Sequence, residues 1–124
     1  MSVSDYYENK ILDHMLRGTA FTPPSTVYVA LHTADPGETG ANEVTGGGYS
    51  RKAVTFNAPS GGSMTNSADI DFPNMPAVTV THVSLWDAAS SGNCLWTGSL
   101  TEPKTLNSGD TFRIPAGQMT VSLD

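Results

Sequence analysis

With 124 residues, the chain has room for one compact domain spanning 1–124 and not for two of ordinary size. A formal net charge of −6 with only six Lys and Arg argues against nucleic-acid binding, which needs a basic surface to displace counterions from phosphate, and equally against an anionic membrane surface. The 38% hydrophobic and 15% charged content, with 12 Gly and 8 Pro, describes a turn-rich β protein with a small core rather than a helical bundle.

Cys94 is the single cysteine, so no intrachain disulfide forms and stability must come from packing, helped in a small domain by oligomerisation. No apolar run has the length of a membrane span, and the opening Met1–Glu8 is acidic where a signal peptide would be basic. Both points lead to the expectation of synthesis and folding in the cytoplasm.

The pattern predicts one helix, 4–17. Ser4 or Asp5 can cap it, Glu8 stands three residues after Asp5 as in a capping box, and Gly18 supplies a left-handed stop. Tyr7, Ile11 and Met15 recur every four residues with Leu12 and Leu16 beside them, giving an apolar face that must cover the chain's own sheet or a neighbouring subunit.

From residue 26 to 124 the character is β. Val27, Val29 and Leu31 alternate with Tyr28, Ala30 and His32, which predicts a strand with the first three inward. The loop 33–48, with its Gly46-Gly47-Gly48 triplet read as a flexible hinge, exceeds the usual connection length. Residues 49–56 form the next predicted strand and 57–63 a turn. Met64, Asn66, Ala68, Ile70 and Phe72 alternate with Thr65, Ser67, Asp69 and Asp71, a half-buried strand with an acidic wet side. After the Pro73–Pro76 break, 77–86 reads as a central strand or one covered on both sides. Residues 87–93 read as a turn, 94–97 as a short strand and 101–110 as a loop; Pro115-Ala116-Gly117 between 111–114 and 118–123 carries the mark of a terminal hairpin. The fold class is therefore mainly β: a β-sandwich or barrel-like antiparallel sheet of about seven strands with one N-terminal helix.

Chemistry is hard to place on this chain. His14, His32 and His82 lack partners at metal-ligand spacing; His14 reads as a helix-surface residue, and His32 and His82 as residues edging strands. Cys94 beside Leu95 and Trp96 reads as a small buried apolar residue. Ser, His and Asp occur without a Gly-x-Ser-x-Gly elbow, and the glycine triplet is not followed by Gly-Lys-Ser or Gly-Lys-Thr. The sequence thus predicts no catalytic residues, no cofactor and no metal. Asp35, Glu38 and Glu43 in the loop 35–43 could supply calcium oxygens but lack EF-hand spacing. Trp86, Trp96, Tyr6, Tyr7, Tyr28 and Tyr49 could form a glycan-stacking platform or simply fill the core, and the core reading is preferred.

End to end, the segments Tyr7–His14, Gly18–Leu31, Gly46–Arg51, Val80–Asp87, Gly109–Phe112 and Thr120–Leu123 resemble a family of short tailed-phage proteins labelled tail fibre or fibre-like virion proteins. The resemblance implies a virion component with other virion proteins as partners, and it brings no reaction. A fibre shaft needs a long repetitive segment and no internal repeat occurs here, so the chain is not a whole long fibre. Two roles follow: first, decoration or cementing of the capsid; second, a tail-associated fibre, knob or adaptor, which could contact host glycans. Either role suits a homo-oligomer, a trimer or a dimer, with Tyr7, Ile11 and Met15 of the helix, or the Met1–Ser4 arm, as candidate subunit contacts.

Overall fold

The structure is a computed structural model in which residues 1–123 are described. The helix α1 spans Asp5–Arg17. Its N-cap is Ser4 rather than Asp5: Ser4 Oγ accepts from the Tyr7 N–H at 3.3 Å and donates to the Cys94 carbonyl at 2.6 Å. One hydroxyl thus caps the helix and roots it on the sheet. With Ser4 as cap, Glu8 lies one position past the capping-box site. Gly18 ends the helix in the left-handed conformation, φ 71°, and the Thr19 N–H donates to the Asp13 carbonyl.

The strand β1 (Ser2–Val3) precedes the helix, so the N-terminal arm lies on its own sheet. It joins β2 (Val27–His32), β3 (Lys52–Val54), β6 (Thr79–Trp86) and β7 (Cys94–Thr105) in an antiparallel sheet of order β1-β7-β6-β2-β3. The central position of β6 is as its weak alternation predicts. Val83 to Trp86 are all buried because both faces are covered. On one face Val29, Leu31, Val83, Leu85 and Leu95 enter the main core. On the other, Ala30, Trp86 and Cys94 form a second cluster with Tyr28 against it. The strand β2 therefore does not present a polar side to solvent; His32 is wholly buried.

The strand β7 is far longer than the expected 94–97, and much of the predicted loop 101–110 belongs to it. Two irregularities explain the misreading. Leu85 pairs with Trp96 and Trp86 with Cys94, so Leu95 is an extra residue, and this bulge turns both Leu95 and Trp96 toward the main core. Further on, Val80 pairs with Lys104 but His82 with Ser99. The intervening residues, Pro103 among them, stand outside the ladder, where a missing N–H costs nothing.

The predicted strand 64–72 is two strands, β4 (Ser63–Thr65) and β5 (Ile70–Phe72), and the predicted terminal hairpin does not form. Instead β8 (Phe112–Ile114) pairs with β5 and β9 (Thr120–Ser122) pairs with β4. The segment 63–72 runs antiparallel to 112–122 as a single ribbon broken in its middle. Pro115-Ala116-Gly117 is that break: one more residue stands between β8 and β9 than between β4 and β5. Buried Asn66 fills the gap. Its Nδ2 donates to the Ala68 and Pro115 carbonyls, its Oδ1 accepts from the Met119 N–H, and its own carbonyl accepts from the Gly117 N–H. The outer side is acidic and wet as expected, with Asp71 held by Arg113 across the ladder at 2.6 Å.

The chain leaves β3 through an isolated bridge, Phe56 to Asn66, and so joins the main sheet to the ribbon. Ile70, Phe72, Ile114 and Val121 of the ribbon close over Val29, Leu31 and Leu85 of the sheet. The result is a mainly antiparallel β fold that does not close into a barrel. Between β7 and the β8–β9 side of the ribbon no ladder forms; the Trp96 Nε1–H reaches the Ser122 carbonyl across the seam at 3.3 Å.

Candidate functional site

The loop 33–48 covers the second face of the sheet and is fastened at every turn. Thr33 N–H donates to the Asn42 carbonyl and Val44 N–H to the Leu31 carbonyl, while Asn42 Nδ2 reaches the Asp35 carbonyl. Gly40 sits on Trp86 with φ 80°, and a Cβ placed there would lie only 2.1 Å from Trp86 Cζ2. The glycine triplet is no hinge either. Gly48 N–H donates to the Asn74 carbonyl at 2.6 Å, and a Cβ on Gly47 would meet the Pro76 nitrogen at 2.8 Å.

Beneath this loop lies a polar latch. Arg51 grips Glu43 with two parallel bonds, Nε to Oε2 at 3.0 Å and Nη2 to Oε1 at 2.9 Å, and its Nη1 donates to the Ala88 and Ser91 carbonyls. The guanidinium lies 3.8 Å from the centre of the Trp86 ring. Tyr49 donates to Glu43 Oε2 at 2.6 Å and accepts from the Leu31 N–H at 3.0 Å. Burial pushes the Glu43 carboxyl up, but the bonds from Arg51 and Tyr49 outweigh it and hold the group below its ordinary range. Burial, reinforced by Glu43, raises the Tyr49 phenol, which stays protonated.

His32 completes the latch. Its Nδ1 faces the Ala41 carbonyl at 2.8 Å, which can only accept, so that nitrogen carries the proton. Nε2 then accepts from Ser84 Oγ at 2.6 Å, and Ser84 Oγ accepts from the Trp86 indole N–H at 2.6 Å. Burial lowers the His32 pKa, so the ring is neutral as the network requires. The Ser84–His32 contact has the partners of a nucleophile and its base, yet both residues are fully buried.

The residues singled out from sequence scatter over this frame. Asp35 Oδ1 caps the Gly37 N–H, Glu38 Oε2 accepts from the Asp5 N–H at the start of α1, and Glu43 serves Arg51. The three carboxylates thus point at three different partners, and no group of three or more metal-ligating residues gathers among the described residues. Trp86 is buried, Tyr49 stacks on Phe72, and Tyr7 meets the Trp96 ring edge-on at 5.2 Å, so these rings fill the core rather than line a platform. His14 is exposed, its Nδ1 facing the Thr19 carbonyl, and His82 is half-buried with Nδ1 facing Thr81 Oγ1. Cys94 is buried, and burial pushes its thiol up to about 11.

The candidate subunit contacts divide. Tyr7 turns inward onto Trp96 and Phe21, Ile11 is half-buried, and Met15 stands 68% exposed with Leu12 and Leu16 beside it. Next to the root of α1 the open seam widens into an apolar cavity of about 400 Å³, lined by Tyr7, Val27, Leu85, Trp96 and Val121 with Leu123 at its mouth.

A family model for the Podophage GP4 fiber I protein gp80 matches residues 2–122. The chain belongs to this family. Membership in the fiber I protein gp80 family makes it a phage fibre-like structural protein of the virion, in agreement with the resemblance read from its segments. The match includes α1, every strand and the latch, so the loop and all of the named seam lining except Leu123 lie within the family's matched span. No curated protein matches the chain. No helix among the described residues is long and apolar enough to cross a membrane. The latch itself was not legible in the sequence, since Glu43, Arg51, Ser84 and Trp86 carry no motif.

Proposed function

We propose that this chain is a non-catalytic building unit of a fibre on the phage tail, joining other virion proteins rather than reading nucleic acid or membrane. The family match over residues 2–122 carries this reading, because the family is described by a fibre protein. It favours the tail role over capsid decoration, the first role read from the sequence. The structure supports a compact unit rather than a shaft: residues 1–123 fold around one main core without a repeated element. Its polar groups are spent on rigidity. Arg51, Glu43, His32 and Ser84 hold a loop down, and Ser84 with His32 is sealed away from any substrate.

Rigidity of this kind suits a part that must transmit load and geometry between neighbours, where a loop of ordinary mobility would not. Immunogold electron microscopy of purified particles with an antibody to this chain tests the assignment. Gold on the tail fits the proposal; gold spread over the head would replace it with capsid decoration, and particles without gold would remove both.

A further inference from the structure

The outer face of α1 and the seam beside it are unmatched halves of one contact. Leu12, Met15 and Leu16, at i, i+3 and i+4, are 54%, 68% and 79% exposed, the largest apolar side chains on the described surface to stand so close together. The seam cavity is apolar, open at its mouth and close to 400 Å³, a size that receives several side chains. One cannot fill the other within a chain. Tyr7 anchors the helix on the cavity wall itself, and the three side chains lie roughly 7 to 14 Å further along the axis on the face turned away.

The exposed area points to what covers them. A folded monomer of 13.0 kDa exposes about 6,300 Å², and this chain exposes 6958 Å². The excess of roughly 600 Å² per copy is close to one partner's share of a small but specific protein interface. The residues that line the cavity, Pro59, Gly62, Ser63 and Ser122 among them, include no charged side chain.

We infer that the chain self-associates by a helix-in-groove contact, in which Leu12, Met15 and Leu16 of one copy enter the β7–β9 seam of another. The contact is independent of where on the particle the protein sits. Knob and hole on every copy make it available to each subunit of a closed assembly.

Sedimentation velocity on the full chain, at concentrations up to roughly 100 µM to reach micromolar association, tests it. The expected mass is a multiple of 13.0 kDa. Leu16→Lys on the knob and Leu123→Lys at the mouth should each weaken association at least about tenfold, since each removes a buried leucine. Both positions are exposed in the single chain, so the circular dichroism spectrum and melting temperature of the dilute monomer should stay unchanged. A wild-type chain that remains a monomer overturns the inference, as does an oligomer indifferent to both lysines.

Discussion

Replacing Arg51 with methionine removes the guanidinium while keeping much of the apolar stem, and so tests whether the latch stabilises the fold or merely decorates it. Breaking a fully buried ion pair costs about 3–5 kcal/mol, because the surviving charge is left desolvated. Here the Arg51 side chain is 7% exposed and that of Glu43 24%, so water can partly rescue the carboxylate and the cost falls to about 2–3 kcal/mol. Loss of the cation over the Trp86 face adds about 1 kcal/mol. The Ser91 carbonyl is at an exposed residue and rehydrates without large penalty. The sum is about 3–4 kcal/mol, or roughly a 12–15 °C drop in melting temperature for a chain of this size.

Urea unfolding followed by tryptophan fluorescence reads this directly, as a lowered midpoint at unchanged slope. Combination with Glu43→Gln isolates the pair: the double mutant should lose about 1.5–3 kcal/mol less than the two single losses added together. Arg51→Lys should recover only part of the loss, because an ammonium cannot make the two parallel bonds seen to Glu43. An Arg51→Met loss below about 1 kcal/mol, or an additive cycle, would refute the claim that this pair acts as a buried one.

Acid should loosen the same region. The folded His32 pKa lies below its ordinary 6.5, so the unfolded chain takes up the proton first; stability is full above pH 6.5 and falls by up to about 1.4 kcal/mol per pH unit below it. Urea midpoints at pH 7.5 and 5.5 should differ in the wild type and converge in His32→Gln, and equal wild-type midpoints would contradict the neutral-ring network. Gly40→Ala should cost at least about 2 kcal/mol and shift the Trp86 emission to the red, since it meets both a positive φ and the indole ring. A native-like stability and spectrum would mean the loop does not rest on Trp86. Cys94, buried with its thiol near 11, should react with a disulfide reagent at pH 8 at least about 100-fold more slowly in the folded than in the urea-unfolded chain; comparable rates would place it at the surface.

What could be read from the sequence, and what could not, divides by the range of the interaction. The helix end at Gly18 and the strand Val27–His32 follow from local chemistry and were legible as such. The role of the helix face was legible only in part. Tyr7, Ile11 and Met15 are four apart, and each step of four residues advances about 40° around a 3.6-residue helix, so Met15 lies about 80° from Tyr7. That drift is why Tyr7 packs on Trp96 while Met15 faces outward. Pro115-Ala116-Gly117 has the composition of a hairpin turn, and Gly117 does take a positive φ of 80°. Whether such a tripeptide reverses the chain or only bulges it depends on a partner strand about fifty residues away, and Asn66 supplies the bonds that settle it.

The latch is illegible for the same reason, and its position explains the architecture. A central strand such as β6 needs a cover on each face; the ribbon covers one, and the other falls to a loop too long to hold itself together by local turns. Such a loop has few apolar residues to bury, so its attachment must be polar, and buried polar atoms are tolerated only when all of them are paired. That condition is met: no buried side-chain nitrogen or oxygen among the described residues lacks a partner. The arrangement leaves most of the main core to the ribbon, with Val44 of the loop and Met75 and Leu106 added to it, and no ladder joins the ribbon to β7. The open seam is thus a consequence of how the sheet is covered. Its apolar lining remains without an intramolecular cover, which is the physical reason to look for a second chain there.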